Sequence, residues 1–462
     1  MIPCHSKSGK RLFVMGLGLS GLATVEALVE GGAEVLAWDD SDERRASAGR
    51  RDATIESPDA VDWSGIDYLV LSPGIPHTYP EPHPAAAKAK AAGVPIIGDV
   101  ELMLAECPDA RVIAITGTNG KSTTTALIGH IFETAGKKVE VGGNLGTPVL
   151  SFEPFDADGT CILELSSYQL ELAPSLAPEI AILLNISPDH LDRHGGLRGY
   201  IAAKARIFAN QSAGDTAIVG IDDPDAAAIA DRIDALAPKL MRISGKDNAA
   251  ADLRYSGASL VACGKPVLSL APAKTLPGDH NHQNAAAAFA ACRAAGIDSA
   301  VIAEAIFSFP GLAHRQELVV ERDGIRYVND SKATNADAAE RALGCYDPIY
   351  WIAGGRAKEG GIAPLKPCFS RIRHAFLIGE SAPSFGKTLG DAVPHTQCGT
   401  LDKAVDAAHL MAREEHLPGA TLLLSPAAAS FDQFDNFEQR GDRFRDRVLR
   451  LTGTGEGEVT RP

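Results

Sequence analysis

No two cysteines in this 462-residue chain are spaced C-x-x-C. The eight that occur (Cys4, Cys107, Cys161, Cys263, Cys292, Cys345, Cys368 and Cys398) stand alone. That argues against a disulfide framework or a cysteine-built zinc site and for reduced thiols in a cytoplasmic protein. No apolar run approaches the ~18 residues that would span a bilayer. The apolar stretch in the opening "MIPCHSKSGKRLFVMGLGLSG" is too short and too glycine-rich for a secretory signal, so the expected location is the cytosol. Positive charge is scarce as well: 44 Lys and Arg against 59 Asp and Glu leave a formal charge of -15. This speaks against nucleic acid or an anionic membrane as the main partner and leaves room only for local basic pockets around phosphate. No internal repeat or low-complexity tract is present. An ordinary globular composition at this length calls for roughly three domains of ~150 residues each.

What is present begins with "AITGTNGKSTTTALIGH" at residues 114–130, where an apolar strand enters a glycine turn and a segment of helical spacing follows. Backbone N–H groups around Gly117 and Gly120 can turn onto phosphate oxygens, Lys121 can reach the terminal phosphates, and the Ser122 hydroxyl can ligate Mg²⁺. The spelling departs from G-x-x-x-x-G-K-[ST], which would put a glycine at Ile115. Upstream, residues 11–40 read strand, turn, helix, strand, with G-x-G-x-x-G at Gly16, Gly18 and Gly21 and Asp39 closing the second strand. By spacing this is a dinucleotide fingerprint, open between NAD(P) and another nucleotide. "DYLVLSPGIP" and "VPIIGDVELM" read as later strands of the same sheet, and "ECPDA" at 106–110 as a linker. Alternating strands and helices throughout give an α/β architecture in three lobes with mostly parallel sheets.

A nucleotide loop needs a metal partner at the end of a neighbouring parallel strand, and Glu164 in "CILELSS" ends an apolar run that has no other reason to finish in a carboxylate. Asp189 and His190 follow another buried-type strand; a lone histidine there can equally be structural. Lys204, in the helical "GYIAAKARIF", reads first as a solvated lysine. In the last third, "NDSKATN", "SPAAASFDQFDNF" and His314-Arg315 set polar groups in loops, most of them directly after strands, where open α/β sheets bind ligands.

Together "GTNGKS", "ELSSYQLE", "NISPDHLDRH", "GDHNHQN", "HRQE", "NDSKATN" and "SPAAASFDQFDNFEQRG", in that order, resemble the Mur ligase family over almost the whole chain. The short phosphate loop is the normal form in that family. The resemblance implies a Rossmann-like domain for a UDP-linked substrate at 1–107, a central P-loop ATPase-type domain at 108–311 and a Rossmann-like amino-acid domain at 312–462. It implies an ATP-dependent amide ligase of the cytoplasmic stage of peptidoglycan synthesis, joining D-glutamate to UDP-N-acetylmuramoyl-L-alanine through an acyl phosphate. ATP would lie on Gly117, Thr118, Asn119, Gly120, Lys121, Ser122 and Thr123, with Asn284, Arg315 and Asp330 completing its site. Ser122 and Glu164 would hold one Mg²⁺, and His190 a second near the acceptor carboxylate. Lys204 matches a lysine that the family carbamylates with CO₂, and the carbamate would bind metal. Lys121, His190 and Lys204 thus become the catalytic candidates. On the substrate side the resemblance gives Leu19, Ser20, Asp39, Ser72 and Gly74 to the uridine nucleotide and Asn144 and Gln169 to the muramoyl-alanine. Lys332, Thr334, Lys358, Ser430 and Phe437 go to glutamate. The chain departs from relatives in having Asp40-Ser41 where Thr-Arg is frequent, Ala428 for cysteine and Phe431 for leucine.

The first alternative is a family member adding another amino acid such as L-glutamate. A diamino-acid ligase is disfavoured because no D-N-P-R motif occurs. An NAD-dependent oxidoreductase would leave the phosphate loop, Glu164 and the last domain unexplained. Nothing in the residues argues for a partner protein, and a monomer is expected.

Overall fold

The computed structural model describes residues 1–144, 146–155, 159–233, 238–358 and 360–453. Among the described residues, twenty strands form three sheets. The first holds β1 (Arg11–Met15), β2 (Glu34–Trp38), β3 (Thr54–Ile55), β4 (Tyr68–Leu71) and β5 (Ile96–Ile97) in the order β3-β2-β1-β4-β5, all parallel. Successive residues feed two different cores: Phe13, Leu36 and Leu69 one, Val14, Ala37 and Val70 the other. A sheet that is apolar on both faces needs helices on both, which is the doubly wound arrangement.

The central sheet contains β6 (Arg111–Thr116), β7 (Val139–Gly143), β8 (Thr160–Glu164), β9 (Ile180–Leu183), β10 (Thr216–Gly220), β11 (Lys239–Ser244), β12 (Leu253–Ser256), β13 (Ser259–Ala262) and β14 (Lys265–Ser269). Its order is β14-β13-β12-β11-β10-β9-β6-β8-β7, parallel except for the β12-β13-β14 meander. The chain leaves β6 toward β8 on one side and returns to β9 on the other, so a switch point lies beside β6. The third sheet holds β15 (Glu317–Arg322), β16 (Ile325–Asn329), β17 (Ile349–Gly354), β18 (Ile372–Ile378), β19 (His395–Gly399) and β20 (Thr421–Leu424). Its order is β15-β16-β20-β17-β18-β19, with only β15 antiparallel. Its strands also alternate between two cores, Trp351 and Leu377 facing one and Tyr350 and Phe376 the other.

One reading needs correction. "VPIIGDVELM" supplies only the short β5; its second half opens the helix Asp99–Glu106. Gly98 is the N-cap, Asp99 and Glu101 place acid in the first turn, and Val100 and Met103 make the buried stripe, so helical signals outweigh a four-residue apolar run. The antiparallel edges, β12 to β14 and β15, are hairpins within sheets read as mostly parallel. The polypeptide divides into two compact units, Met1–Ala273 with Asp279–Ser308, and Lys274–Gly278 with Phe309–Pro462. The first two sheets share one unit, where Ile2 donates its amide to the Leu150 carbonyl (2.9 Å) and Gly98 to that of Leu172 (2.8 Å).

Candidate active site

In the first sheet the glycine fingerprint serves packing on two sides and leaves the third open. A Cβ on Gly21 would lie 1.9 Å from the Gly16 carbonyl oxygen, and one on Gly16 2.7 Å from Ser72 Oγ, whereas one on Gly18 meets nothing within 4 Å. Ser72 donates to the Gly16 carbonyl at 2.9 Å. Asp39 accepts from the amides of Leu17 (2.7 Å) and Ser41 (2.9 Å). Burial would raise its pKa, but these two amides and Arg44 outweigh burial and hold the carboxyl below its usual range. Gly16, Asp39, Asp40, Ser41, Arg44 and Gly74 are among the residues lining a cleft of about 800 Å³. Leu19 is 81 % exposed at the start of the helix Leu19–Glu30, and Ser20 is half-buried beside it.

The phosphate loop follows β6 and opens the helix Lys121–Thr134, with Gly120 as N-cap at φ 85°. A side chain there would be strained, and its Cβ would lie 2.3 Å from Asn284 Oδ1. A neighbouring strand end and a helix tether the loop: Asn185, just after β9, accepts from the Asn119 amide (2.9 Å), and Thr118 Oγ1 lies 3.0 Å from the hydroxyl of Tyr200 in the helix Leu197–Ala205. Ser122 and Thr123 are buried in the first helical turn. Lys121 Nζ donates to the carbonyls of Gly117 (2.9 Å) and Thr118 (3.0 Å).

Lys204 is not the solvated lysine its helical context suggested. It is buried, donates to the same Gly117 carbonyl at 2.9 Å and to Thr116 Oγ1 at 3.4 Å, and lies 4.8 Å from the Tyr200 ring centre. Burial, followed by repulsion from Lys121, pushes its pKa well below that of an ordinary lysine, although Asp189 and Glu164 oppose the shift. Its neutral amine is therefore far more accessible than that of a surface lysine.

Glu164 ends β8 opposite Ile115 of β6, buried at 2 % exposure. One carboxylate oxygen accepts from Asn144 Nδ2 at 2.8 Å and the other has no partner. A buried carboxylate oxygen left unpaired beside a phosphate loop is suited to a cation. Among the described residues no three His, Cys, Asp or Glu side chains are grouped to hold a metal unaided. Mg²⁺ takes one or two protein carboxylates and completes its shell with phosphate oxygens and water, and Glu164 supplies one such carboxylate.

Three expected residues sit differently. His190 is exposed at φ 50°, 3.5 Å from Asp189 and 5.5 Å ring to ring from Tyr168. Gln169 uses its side-chain oxygen in a capping box with Ser166 at the start of the helix Ser167–Glu171. Asn144 is engaged with Glu164. Sequence reasoning missed Asn281, which accepts from Asn284 Nδ2 at 3.0 Å, and the buried His194, 2.9 Å from Ser167 Oγ. It also missed Arg193, which donates to the Gly74 carbonyl at 2.9 Å with its guanidinium 4.6 Å from the Tyr168 ring centre. All three lie in motifs already quoted, but nothing in a single sequence separates a structural amide, imidazole or guanidinium from a functional one.

In the second unit Asp330 follows β16 fully buried, accepting from the Gln316 amide (3.1 Å) and Ser425 Oγ (2.8 Å). Burial pushes its pKa up to about 7, against the lowering effects of Ser425, Gln316 and Arg315. Ser331 Oγ donates to the Phe437 carbonyl at 2.8 Å, and the backbones of Arg356 and Ala429 pair in both directions. The segments carrying Lys332 and Thr334, Lys358, and Ser430 and Phe437 are thereby joined. Lys332 lies 5.3 Å from the Phe437 ring centre, Ser430 is buried, Thr334 is half-buried and Lys358 is exposed.

Residues 115–292 match the Mur ligase middle domain. The chain is 52 % identical to the UDP-N-acetylmuramoylalanine–D-glutamate ligase of Paramagnetospirillum magneticum, covering 97 % of this chain and 98 % of that one. It is also 52 % identical to the ligase of the same name from Rhodospirillum rubrum, covering 98 % and 97 %. Among solved structures it shares the fold of the UDP-N-acetylmuramate–alanine ligase of Thermotoga maritima, with TM-score 0.59 at 19 % identity over 96 % of this chain and 99 % of that one. MurF of Acinetobacter baumannii gives TM-score 0.57 at 17 % identity over 96 % and 93 %. With half its residues shared with such enzymes from end to end, and a phosphate loop, buried carboxylate and buried lysine gathered at one switch point, the chain belongs to the Mur ligase family.

Proposed function

We infer that this protein is an ATP-dependent ligase that joins D-glutamate to UDP-N-acetylmuramoyl-L-alanine in peptidoglycan synthesis, acting in the cytoplasm. Likeness over nearly the whole chain to ligases of that name supports the substrates. The observation that carries the chemistry is the convergence of Lys121 and Lys204 on the Gly117 carbonyl. The unpartnered oxygen of Glu164 belongs to the same constellation. Division of labour follows the sheets: 1–107 for the UDP moiety, 108–311 for ATP and 312–462 for the amino acid.

A carboxylate does not condense with an amine in water unaided. Transfer of the γ-phosphoryl group of ATP to the terminal alanine carboxylate gives an acyl phosphate and ADP. Attack by the glutamate amine on the carbonyl carbon then forms the amide and expels phosphate. Both steps gather negative charge, so the residues work by positioning and electrostatic stabilisation. The amides of Gly117 to Ser122 cradle phosphate oxygens, and Lys121 can swing from the loop carbonyls onto the transferring group. Mg²⁺, held by Ser122 and Glu164 with a second ion near His190, would neutralise phosphate charge. Asn284 and Arg315 would contact the nucleotide and Asp330 its ribose. In the first sheet Leu19, Ser20, Asp39, Ser72 and Gly74 would hold the uridine nucleotide. Asn144 and Gln169 would face the muramoyl-alanine, and Lys332, Thr334, Lys358, Ser430 and Phe437 the glutamate.

Lys204 is proposed to act as a carbamate. Its depressed pKa makes the free amine available to CO₂, and carbamylation turns a cation crowded by Lys121 into an anion able to complete a metal site. The reading is tested by ADP and phosphate release from purified protein with Mg²⁺, UDP-N-acetylmuramoyl-L-alanine and D- or L-glutamate. Turnover should require all components and favour the D-isomer by ~10²-fold, because inverting the centre with both carboxylates anchored moves the amine by ~1 Å or more. Equal ATP turnover without acceptor, or preference for L-glutamate, would overturn it.

A further inference from the structure

Arg440, 1 % exposed, lies in the first turn of the helix Phe437–Thr452, under the junction of three loops. Its Nε donates to Ser331 Oγ (3.0 Å), Nη2 to the Ser331 carbonyl (2.9 Å) and Nη1 to the Ala428 carbonyl (3.0 Å). Gly355 packs so closely that a Cβ there would lie 3.2 Å from Nη1. Every one of these acceptors is neutral. Among the described residues no carboxylate lies within ion-pair distance of this guanidinium, and Asp432, the acid whose field reaches it, accepts from the Glu380 amide at 3.0 Å.

Three other arginines of the same helix pair with acids: Arg443 with Asp402, Arg445 with Glu317 and Arg447 with Asp406, all more exposed than Arg440. At those positions an ion pair matters little, yet an acid is present; at buried Arg440, for which solitude is costly, there is none. Arg440 cannot relieve the cost by losing its proton at neutral pH, as a buried lysine can. Each loop it grips carries groups proposed above for the amino acid: Ser331 precedes Lys332 and Thr334, Ala428 precedes Ser430, and Gly355 precedes Lys358. Ser331 Oγ, bonded to Nε, passes its own proton to the Phe437 carbonyl.

We propose that Arg440 is the positioning and charge-selecting residue of the amino-acid site, locking two loops in register against a third and leaving its charge unneutralised for the side-chain carboxylate of an incoming dicarboxylic amino acid. The inference rests on the assignment of this unit to the amino acid. A planar fork is needed because one side chain must hold acceptors on two separate loops, and a permanent charge is needed because selection must survive burial.

The test compares full-length wild type, R440K and R440Q in steady-state assays varying D-glutamate, ATP and the UDP-linked acceptor separately. R440Q should raise the KM for D-glutamate by ~10-fold or more, the scale of one charge acting across a protein interior, with the other two KM values within ~3-fold of wild type. R440K should recover little of that loss, because an ammonium lacks the fork and, buried, can shed its proton. The preference for D-glutamate over its neutral isostere D-glutamine, each tried as substrate and as competitive inhibitor, should narrow in R440Q and in R440K. Full recovery in R440K, three KM values rising together, or an unchanged preference in R440Q would overturn the proposal. If either variant does not fold, thermal melts of wild type decide: D-glutamate should raise Tm and D-glutamine should not, and equal shifts would overturn it. Wild-type protein inactive with D-glutamate would instead sink the assignment of function, a distinguishable result.

Discussion

Two buried cations, Lys204 under the phosphate loop and Arg440 under the loops that follow β16 and β20, meet similar surroundings and differ in the charge they keep. Each is almost wholly excluded from water, and each donates only to neutral oxygens, Gly117 and Thr116 in one case and Ser331 and Ala428 in the other. Burial lowers the pKa of both. The ammonium is pushed well below the ordinary lysine range, toward its neutral form, whereas Arg440, at about 10, stays a cation. The same desolvation therefore favours the neutral form of one group and leaves the other charged. The lesson lies in the starting value of each group, because burial shifts a pKa and the intrinsic value decides which form remains.

The largest effect should come from exchanging those properties. Lys204→Arg keeps the cation but cannot shed its proton or take CO₂, and turnover should fall ~10³-fold or more, the scale of losing a central charge in phosphoryl transfer. Lys204→Ala should fall as far and regain part of the loss with acetate or formate in the buffer, while the arginine variant should not respond. A Lys204→Arg enzyme with near-normal kcat would abolish the contrast. Next, Glu164→Ala removes the carboxylate with the vacant oxygen, and activity should drop ~10²-fold with its dependence on Mg²⁺ moved to higher concentration. An unaltered Mg²⁺ titration curve would deny it a ligand role.

A smaller effect concerns stability. Lys204 binds its proton less readily folded than unfolded, so between its folded pKa and the ordinary value of 10.5 the unfolded state holds more protons and stability rises with pH. Urea denaturation should show wild type gaining on Lys204→Met as pH rises through that window, by at most about 1.4 kcal/mol per pH unit. A constant difference from pH 7 to 10 would mean that the amine is not desolvated as described.

The smallest effect is expected at Asp330, whose shift has the opposite sign. From about 3.8 to about 7 the folded state holds a proton the unfolded state has released, so its contribution to stability is full below that window and is lost as pH rises through it. Asp330→Asn should remove this component, so that its Tm gains on wild type by a few degrees, ~2–4 °C, between pH 4 and 7. Parallel Tm profiles would show that Ser425 and Gln316 hold the carboxylate ionised throughout.

Much of the architecture was legible because its signals are local. Apolar strands buried on both faces, glycine turns after them and amphipathic helices announce parallel α/β sheets, and loops after the strands then mark ligand sites. The helix Asp99–Glu106 was missed because a short apolar run suits either element, and only its Gly98 cap and acidic first turn distinguish them. In the site, Lys121, Ser122 and Glu164 could be read from their position relative to strands. Lys204, by contrast, read as a surface lysine on pattern alone and was raised above that only by family resemblance. Arg440 was not singled out at all, since a helix rich in arginines does not say which one points inward.

By itself the sequence determined the order of strands, turns and helices, the phosphate loop, and the pool of ionisable residues from which a site could be assembled, because these depend on side-chain period and glycine placement within a few residues. The tertiary structure alone decided the state of those residues. Charge and reactivity depend on how much water is excluded and which oxygens are brought near, and those come from residues distant in the chain: Lys204 meets Gly117, and Arg440 meets Ser331. Desolvation is a property of enclosure by the fold around each group, so ionisable residues alike on paper come to differ in proton affinity only once each unit has folded.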